Sequence, residues 1–431
     1  MDVSLEAYRN IVRNVGRRRD IAALCGVSRG FQRVAERALY NTLTVSDADP
    51  RLCETLAGSP RIAGLVVALT VQVRRRGQAR EDEDGDSQDS ASEEKEEQSA
   101  PAGPSAGAIE PGASIDGYWA AVAGALRNAT RLRHLTIDIA DPADAGTAWV
   151  LDECVFQLRT FYCDFDWDEA LRAFLATQHQ LHDLSLRDYR ELALDAPDDG
   201  QPADTHDTTE PSHTLESDIP PATHDTISIH TTLPQPIPAP APALPQLDTL
   251  ECTFSEAAVA LIPGRPLARL KTCFSRPDLA GKRAELAALL AALRISARPL
   301  RALDLADAAY TEAGAMELLH RISHTPATAR ELRYLGTLVL PVGGARCRLH
   351  FYGLLMRLRR LRCIEVDVSA WTPPPTSSPA FRAVAAELRL YCPDMHTVVF
   401  VHEFERTVVT AVAGVLRINA DANPELFWRE I

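Results

Sequence analysis

The feature that most constrains this chain is a short apolar phrase, L-x-x-L-x-L or a close variant, that returns along most of its length. The phrases begin at Leu132, Leu158, Leu181, Leu247, Leu300, Leu335, Leu361 and, most loosely, Met395. One unit of this kind cannot bury its apolar side alone, so neighbouring units must stack. The repetition therefore predicts a stacked array, and such arrays mostly hold partners.

Amphipathic helices are predicted between the phrases. Trp119, Val122 and Leu126, for example, share one helix face just before the phrase at Leu132. A helix before each strand, without hairpin turns, predicts parallel strands on one face and helices on the other. The spacing is typical of leucine-rich repeats, although the Asn that usually follows each strand is missing. The predicted fold class is therefore α/β, an irregular leucine-rich-repeat solenoid.

The first 45 residues differ from the rest, because they predict three short helices instead of the repeated phrase. This segment resembles the F-box. The matching positions are Leu5-Glu6, Ile11 with Val15, Asp20-Ile21, Leu24, Val27-Ser28, Phe31, Leu39 and Tyr40. With repeats behind it, the chain is similar to the large fungal group of F-box-like leucine-rich-repeat proteins.

The resemblance implies an adaptor of an SCF-type cullin-RING ubiquitin ligase. The F-box would bind the ligase's Skp-type linker, and the repeats would hold a protein substrate. The residues that this assigns to the linker contact are Leu5, Ile11, Leu24, Val27, Phe31, Leu39 and Tyr40. Two alternatives remain open: the three helices only cap the first repeat, or the repeats form an interaction scaffold with no ligase association.

Charge and proline content divide the chain into segments. The predicted divisions are an F-box-like domain 1–45, a first repeat 46–75, a disordered acidic linker 76–113, repeats 114–194, a disordered acidic and proline-rich insertion 195–245, and repeats 246–431. The net charge of −14 is concentrated in the linker and the insertion. The folded remainder is thus predicted to be mildly basic.

Side chains alternate along a strand, so the polar positions of each phrase should line one face of the sheet. That face is the predicted site of the protein substrate. The residues assigned to it are His134, Tyr162, Asp164, Arg187, Glu251, Lys271, Asp304, Glu365 and Asp367. Lys271 belongs here if Leu267 begins a further unit.

The sequence predicts no catalytic, metal or cofactor site. Gly26-Val27-Ser28-Arg29-Gly30 matches a nucleophile-elbow pattern, but helix is predicted before Ser28, which favours a helix N-cap. His179 and His182 have no third ligand at a suitable spacing. Arg74-Arg75-Arg76 is too short to indicate nucleic-acid binding. The cysteines are scattered, and the sequence contains neither a recognisable signal peptide nor a long apolar run. These features predict a cytoplasmic and/or nuclear protein that does not enter a membrane.

Overall fold

The computed structural model describes residues 4–73, 115–187, 243–307, 311–375, 377–403 and 405–431. The predicted linker 76–113 lies outside these residues. So does the predicted insertion 195–245, apart from its last three residues. Of those three, Leu244 is fully buried and the carbonyl of Ala243 accepts a hydrogen bond from Arg265 Nε at 2.8 Å. The chain therefore joins the core before residue 246.

Helices and strands alternate through most of the described residues. The helices are α1 (Leu5–Arg13), α2 (Arg18–Leu24), α3 (Arg29–Tyr40), α4 (Arg51–Gly58), α5 (Pro60–Ala63), α6 (Ile115–Asn128), α7 (Glu169–Ala176), α8 (Ser255–Leu261), α9 (Leu279–Arg294), α10 (Glu312–His324), α11 (Pro326–Ala329), α12 (Ala345–Leu355), α13 (Ser378–Tyr391) and α14 (Phe427–Glu430). The strands are β1 (Thr42–Ser46), β2 (Ala68–Val73), β3 (His134–Ile139), β4 (Thr160–Cys163), β5 (Asp183–Leu186), β6 (Thr249–Cys252), β7 (Arg269–Cys273), β8 (Ala302–Ala306), β9 (Tyr334–Val339), β10 (Cys363–Asp367), β11 (Thr397–His402), β12 (Glu405–Val412) and β13 (Val415–Ile418). The protein is thus of mixed α/β class.

The thirteen strands form one open sheet in which each strand pairs with the next along the chain. Pairing is parallel from β1 to β11, as the repeated phrase predicts, and it is antiparallel from β11 to β13. The phrase beginning at Leu267 does supply a strand, β7. The turn between β12 and β13 places Ala413 and Gly414 at positive φ, as two-residue hairpins require.

One row of apolar side chains runs across the sheet from strand to strand. The register aligns Leu43, Leu69, Leu135, Phe161, Leu184, Leu250, Leu270, Leu303, Leu335, Ile364, Val398 and Val409, all of them buried. Helical residues such as Trp119, Leu289 and Leu388 belong to the same hydrophobic core. The helices therefore cover this face, and the intervening strand residues point to the opposite one.

Helices α1, α2 and α3 have a small core of their own. Val12, Val34 and Ala35 are buried there, and the rings of Tyr8 and Phe31 pack edge to face at 4.6 Å. Gly30 makes this possible, because a Cβ on it would lie 2.7 Å from the Tyr8 ring. Helix α3 also contacts β1 and α5. The three helices thus form a unit joined to the first strand of the sheet.

None of the helices that the structure describes is long and apolar enough to cross a membrane. All nine cysteines lie within the described residues, and none of them forms a disulfide bond. Five of them are buried, including Cys163 and Cys252 on strands β4 and β6. They pack in the core as small apolar side chains.

Strand β9 contains an irregularity at Gly336. Its register with β10 shifts between Ile364 and Val366, and Asp304 of β8 fills the space beside Gly336. A Cβ on this glycine would lie 2.9 Å from the Asp304 Cα and closer still to its carboxyl group. Gly336 therefore leaves room for a carboxylate on the sheet surface.

We expect Gly336→Ala to destabilise the protein by about 1 to 3 kcal/mol, because the added methyl group overpacks against Asp304. Urea unfolding measures the change. The control is Gly353→Ala in α12, where a Cβ meets nothing within 4 Å and alanine should stabilise the helix by about 0.5 to 1 kcal/mol. Equal unfolding midpoints for the two variants would contradict this packing.

Candidate functional site

The sheet face opposite the helices, here called the open face, carries a row of polar residues. Strand pairing places Tyr162, Ser185, Glu251, Lys271 and Asp304 side by side on β4 to β8. Four of these five belong to the face residues predicted from the sequence. The alternation of the repeated phrase is what brings them together.

A second row, at the start of the strands, also faces this side. His134, Thr160 and Asp183 are neighbours in register on β3 to β5. His134 Nδ1 lies 2.9 Å from Thr160 Oγ1, and Tyr162 donates a 2.7 Å hydrogen bond to Asp183 Oδ2. Burial and this hydrogen bond raise the pKa of Tyr162 to about 12. Asp183 therefore joins the two rows.

Arg187 lies where the strands end. Its guanidinium is 3.4 Å from Asp164 Oδ1 and 3.7 Å from Asp138 Oδ1. Asp164 is buried and accepts the Ile139 backbone N–H at 2.9 Å, whereas about half of the Arg187 side chain is exposed. The structure thus brings Asp164 and Arg187 together, with Arg187 presented to solvent.

Residues 419–431, here called the crossing segment, lie over part of the open face. The segment leaves β13, and its helix α14 contacts β7, β8 and β9. Trp428 is buried in a second hydrophobic core with Ala302, Tyr334, Cys363 and Val399. The sequence analysis does not predict this covering, because residues 419–431 contain no copy of the repeated phrase.

Arg429 forms the polar part of this contact. Its Nη1 lies 2.7 and 2.6 Å from the two carboxylate oxygens of Asp183, and its Nη2 donates to Glu251 Oε2 at 2.6 Å. The guanidinium also lies over the Tyr162 ring, 5.3 Å from its centroid. Burial opposes the charges, but Asp183 and Glu251 outweigh it and raise the pKa of Arg429. For Glu251, burial is likewise outweighed by Arg429 and Lys271, and its pKa is lowered.

Two further carboxylates of the sheet, Asp304 and Glu365, interact electrostatically. Glu365 is buried and accepts hydrogen bonds from Tyr334 Oη at 2.6 Å and Thr337 Oγ1 at 3.1 Å. Asp304, on β8, is close enough that burial and then the Glu365 charge raise its pKa to about 7. Glu365 is therefore a part of the packed structure and is not accessible to a partner.

Asp367 and Lys271 complete the predicted face residues. Asp367, at the end of β10, accepts the Ser369 backbone N–H at 2.8 Å and so closes the turn. Lys271 Nζ lies 3.4 Å from Glu251 and 5.9 Å from the centroid of the Trp428 ring. Of the predicted set, His134 and Arg187 are exposed to solvent.

The residues assigned to the linker contact separate into two groups. Leu5, Ile11 and Val27 are exposed on the helical unit, with Val27 at 64%. Four others, Leu24, Phe31, Leu39 and Tyr40, are partly buried. Leu24 and Phe31 pack on the small core, and Tyr40 packs on the main one. The first group is thus available for an apolar contact.

Ser28 is the N-cap of α3, as predicted, and its Oγ accepts the Phe31 N–H at 3.3 Å. His182 Nδ1 lies 2.7 Å from the Gln180 carbonyl. Within the described ranges, no group of three or more His, Cys, Asp or Glu residues is arranged to hold a metal ion.

Three residues that form the contact between the crossing segment and the open face, Tyr334, Trp428 and Arg429, are not predicted from the sequence. The sequence does contain a signal for a binding contact here, because Phe427-Trp428-Arg429 joins two aromatic residues to an arginine outside any repeat. Such residues are typical anchors of binding contacts. When the chain is compared with known proteins, no family model and no curated protein matches it.

We expect Asp304 to contribute stability that is lost as pH rises from about 4 to about 7. In the unfolded chain Asp304 ionises near pH 3.9, whereas in the fold its pKa is about 7. Between these values the unfolded state binds fewer protons, so unfolding becomes more favourable with rising pH.

Urea unfolding at pH 4, 5.5 and 7 checks this dependence. Asp304→Asn should reduce the loss of stability across the range, because the amide stays neutral. The exposed Asp152→Asn change is the matched control. Equal pH profiles for wild type and Asp304→Asn would contradict the assignment.

Proposed function

We propose that this chain is the substrate-recognition adaptor of an SCF-type cullin-RING ubiquitin ligase. Helices α1 to α3 would act as an F-box that docks a Skp-type linker, and the sheet would act as a leucine-rich-repeat solenoid that binds a protein substrate. A cytoplasmic and/or nuclear location follows from this role. The proposal assigns the chain no catalytic step and no cofactor, and it involves neither nucleic acid nor a membrane.

The observation that carries the proposal is the exposure of Leu5, Ile11 and Val27 on a unit whose core is made by other residues. Exposed apolar side chains on a small helical unit favour a protein partner. Their positions also belong to the motif that resembles the F-box. One set of residues thus forms the core of the unit, and a different set forms its exposed apolar surface.

The sheet supports the second half of the proposal. Eleven parallel strands follow one another in chain order, which is the arrangement that stacked repeats produce. The open face displays both charges and aromatic groups, with Arg187 exposed near the end of β5. A rigid surface of this composition suits a specific protein substrate.

A scaffold without ligase association is the second candidate. It is favoured by the packing of α3 against β1 and α5, where Arg61 Nη1 lies 2.5 Å from Glu36 Oε2. A terminal cap would make the same contacts, because it seals the apolar end of the first repeat. The two candidates differ in whether the exposed side of the helices binds a linker.

We expect the triple variant Leu5→Ser, Ile11→Ser, Val27→Ser to weaken binding of a purified Skp-type linker by roughly tenfold or more, as loss of apolar interface anchors does. Its melting temperature should stay close to that of wild type, because all three side chains are exposed. Isothermal titration calorimetry and a thermal melt measure the two quantities.

The matched control is Leu390→Ser, since Leu390 is 80% exposed on α13 and outside the helical unit. It should leave linker binding unchanged. A folded wild-type chain that does not bind the linker at micromolar concentrations would leave the scaffold candidate standing.

A further inference from the structure

We propose that the open face holds a peptide-binding groove, and that the crossing segment occupies this groove as an internal copy of the partner's chemistry. The partner would be a protein segment in which an aromatic residue is followed directly by arginine. This inference rests on the proposed role of the open face in substrate binding, and it names the substrate chemistry.

The groove has an apolar part and an acidic part, with strand β7 and its Lys271 between them. The apolar part is formed by Ala302, Tyr334 and Cys363 on β8 to β10, and it receives Trp428, which is only 2% exposed. The acidic part is formed by Asp183 and Glu251 on β5 and β6, and it receives Arg429. Trp428 and Arg429 are adjacent in the chain and each reaches one part, so the two parts together select for two adjacent side chains.

The acidic part provides geometric as well as charge selectivity. Arg429 Nη1 approaches both oxygens of Asp183, and Nη2 reaches Glu251. Its guanidinium is also held between rings, 4.4 Å from the Trp428 centroid and 5.3 Å from that of Tyr162. A lysine ammonium cannot reproduce this planar fork, so the groove favours arginine.

The crossing segment holds its place through the groove and not through its own secondary structure. Helix α14 has four residues, too few for a helix that is stable alone. Asn423 caps the preceding turn by accepting the Glu425 N–H at 3.2 Å, and Arg406 pairs with Glu425 at 3.2 Å. Trp428 and Arg429 anchor this short element, and Ala422, Phe427 and Ile431 pack against the same core as Trp428. Side-chain anchors of this kind are how peptide ligands are bound.

Tethering raises the local concentration of the crossing segment at the groove. A partner segment must therefore displace it, and the groove is open to others only in the fraction of molecules that have released it. In the described residues, His134 and Arg187 on the neighbouring part of the open face are exposed, and they extend the surface available to a displacing partner. The crossing segment thus raises the partner concentration that is needed for binding.

The test uses the full chain and a fluorescein-labelled peptide with the sequence of residues 421–431, D-A-N-P-E-L-F-W-R-E-I. Wild type should bind the peptide weakly, because its own segment competes. Arg429→Ala should release the segment and bind the peptide roughly tenfold more tightly or better. Arg417→Ala, at an exposed arginine of β13, is the matched control and should behave as wild type.

Two further arms establish specificity. Adding Asp183→Asn and Glu251→Gln to the released variant should abolish the gain, and a peptide carrying Arg429→Ala should not bind. A second release variant, Trp428→Ala with Arg429→Ala, removes both anchors. Thermal melts check that each variant is folded.

The inference is wrong if the release variants are folded but do not bind the peptide. It is also wrong if the release variants unfold, because the crossing segment is then an integral part of the fold. Linker binding is measured on the same proteins and should not change. If the proteins bind the peptide but not the linker, only the ligase proposal is wrong. If they bind the linker but not the peptide, only the proposed groove is wrong.

Discussion

The two faces of the sheet depend on one row of buried apolar residues that crosses it from Leu43 to Val409. Because β1 to β11 pair in parallel and in chain order, each strand contributes one residue to that row and presents the next to the other side. The helices bury one face, which leaves the alternate positions free for polar chemistry. The open face and its charges are consequences of that alternation.

The strand core could be predicted because its signal is local and repeated. Leu184 and Leu250 stand at the same place in the same phrase, and the structure pairs them directly. The same alternation predicted Tyr162, Glu251, Lys271 and Asp304 as neighbours on one face. Ser28 was predicted as an N-cap because capping also depends on residues within one turn.

The rest could not be predicted, because it depends on contacts between residues far apart in the chain. Nothing near Arg429 in the sequence indicates that it meets Asp183, and nothing near Glu365 shows that Tyr334 and Thr337 bury it. The hairpin of β12 and β13 follows from a turn at Ala413 and Gly414 that the repeated phrase does not contain. Such contacts form only once the sheet has brought these distant residues together.

The glycine at position 336 couples the packing of two neighbouring strands, β8 and β9. By leaving room for Asp304, it lets a carboxyl group occupy a place where a neighbouring strand would otherwise present a side chain. Any larger residue at 336 must be accompanied by a smaller one at 304. The two positions therefore form one packing unit, in which a substitution at either residue changes the space available to the other.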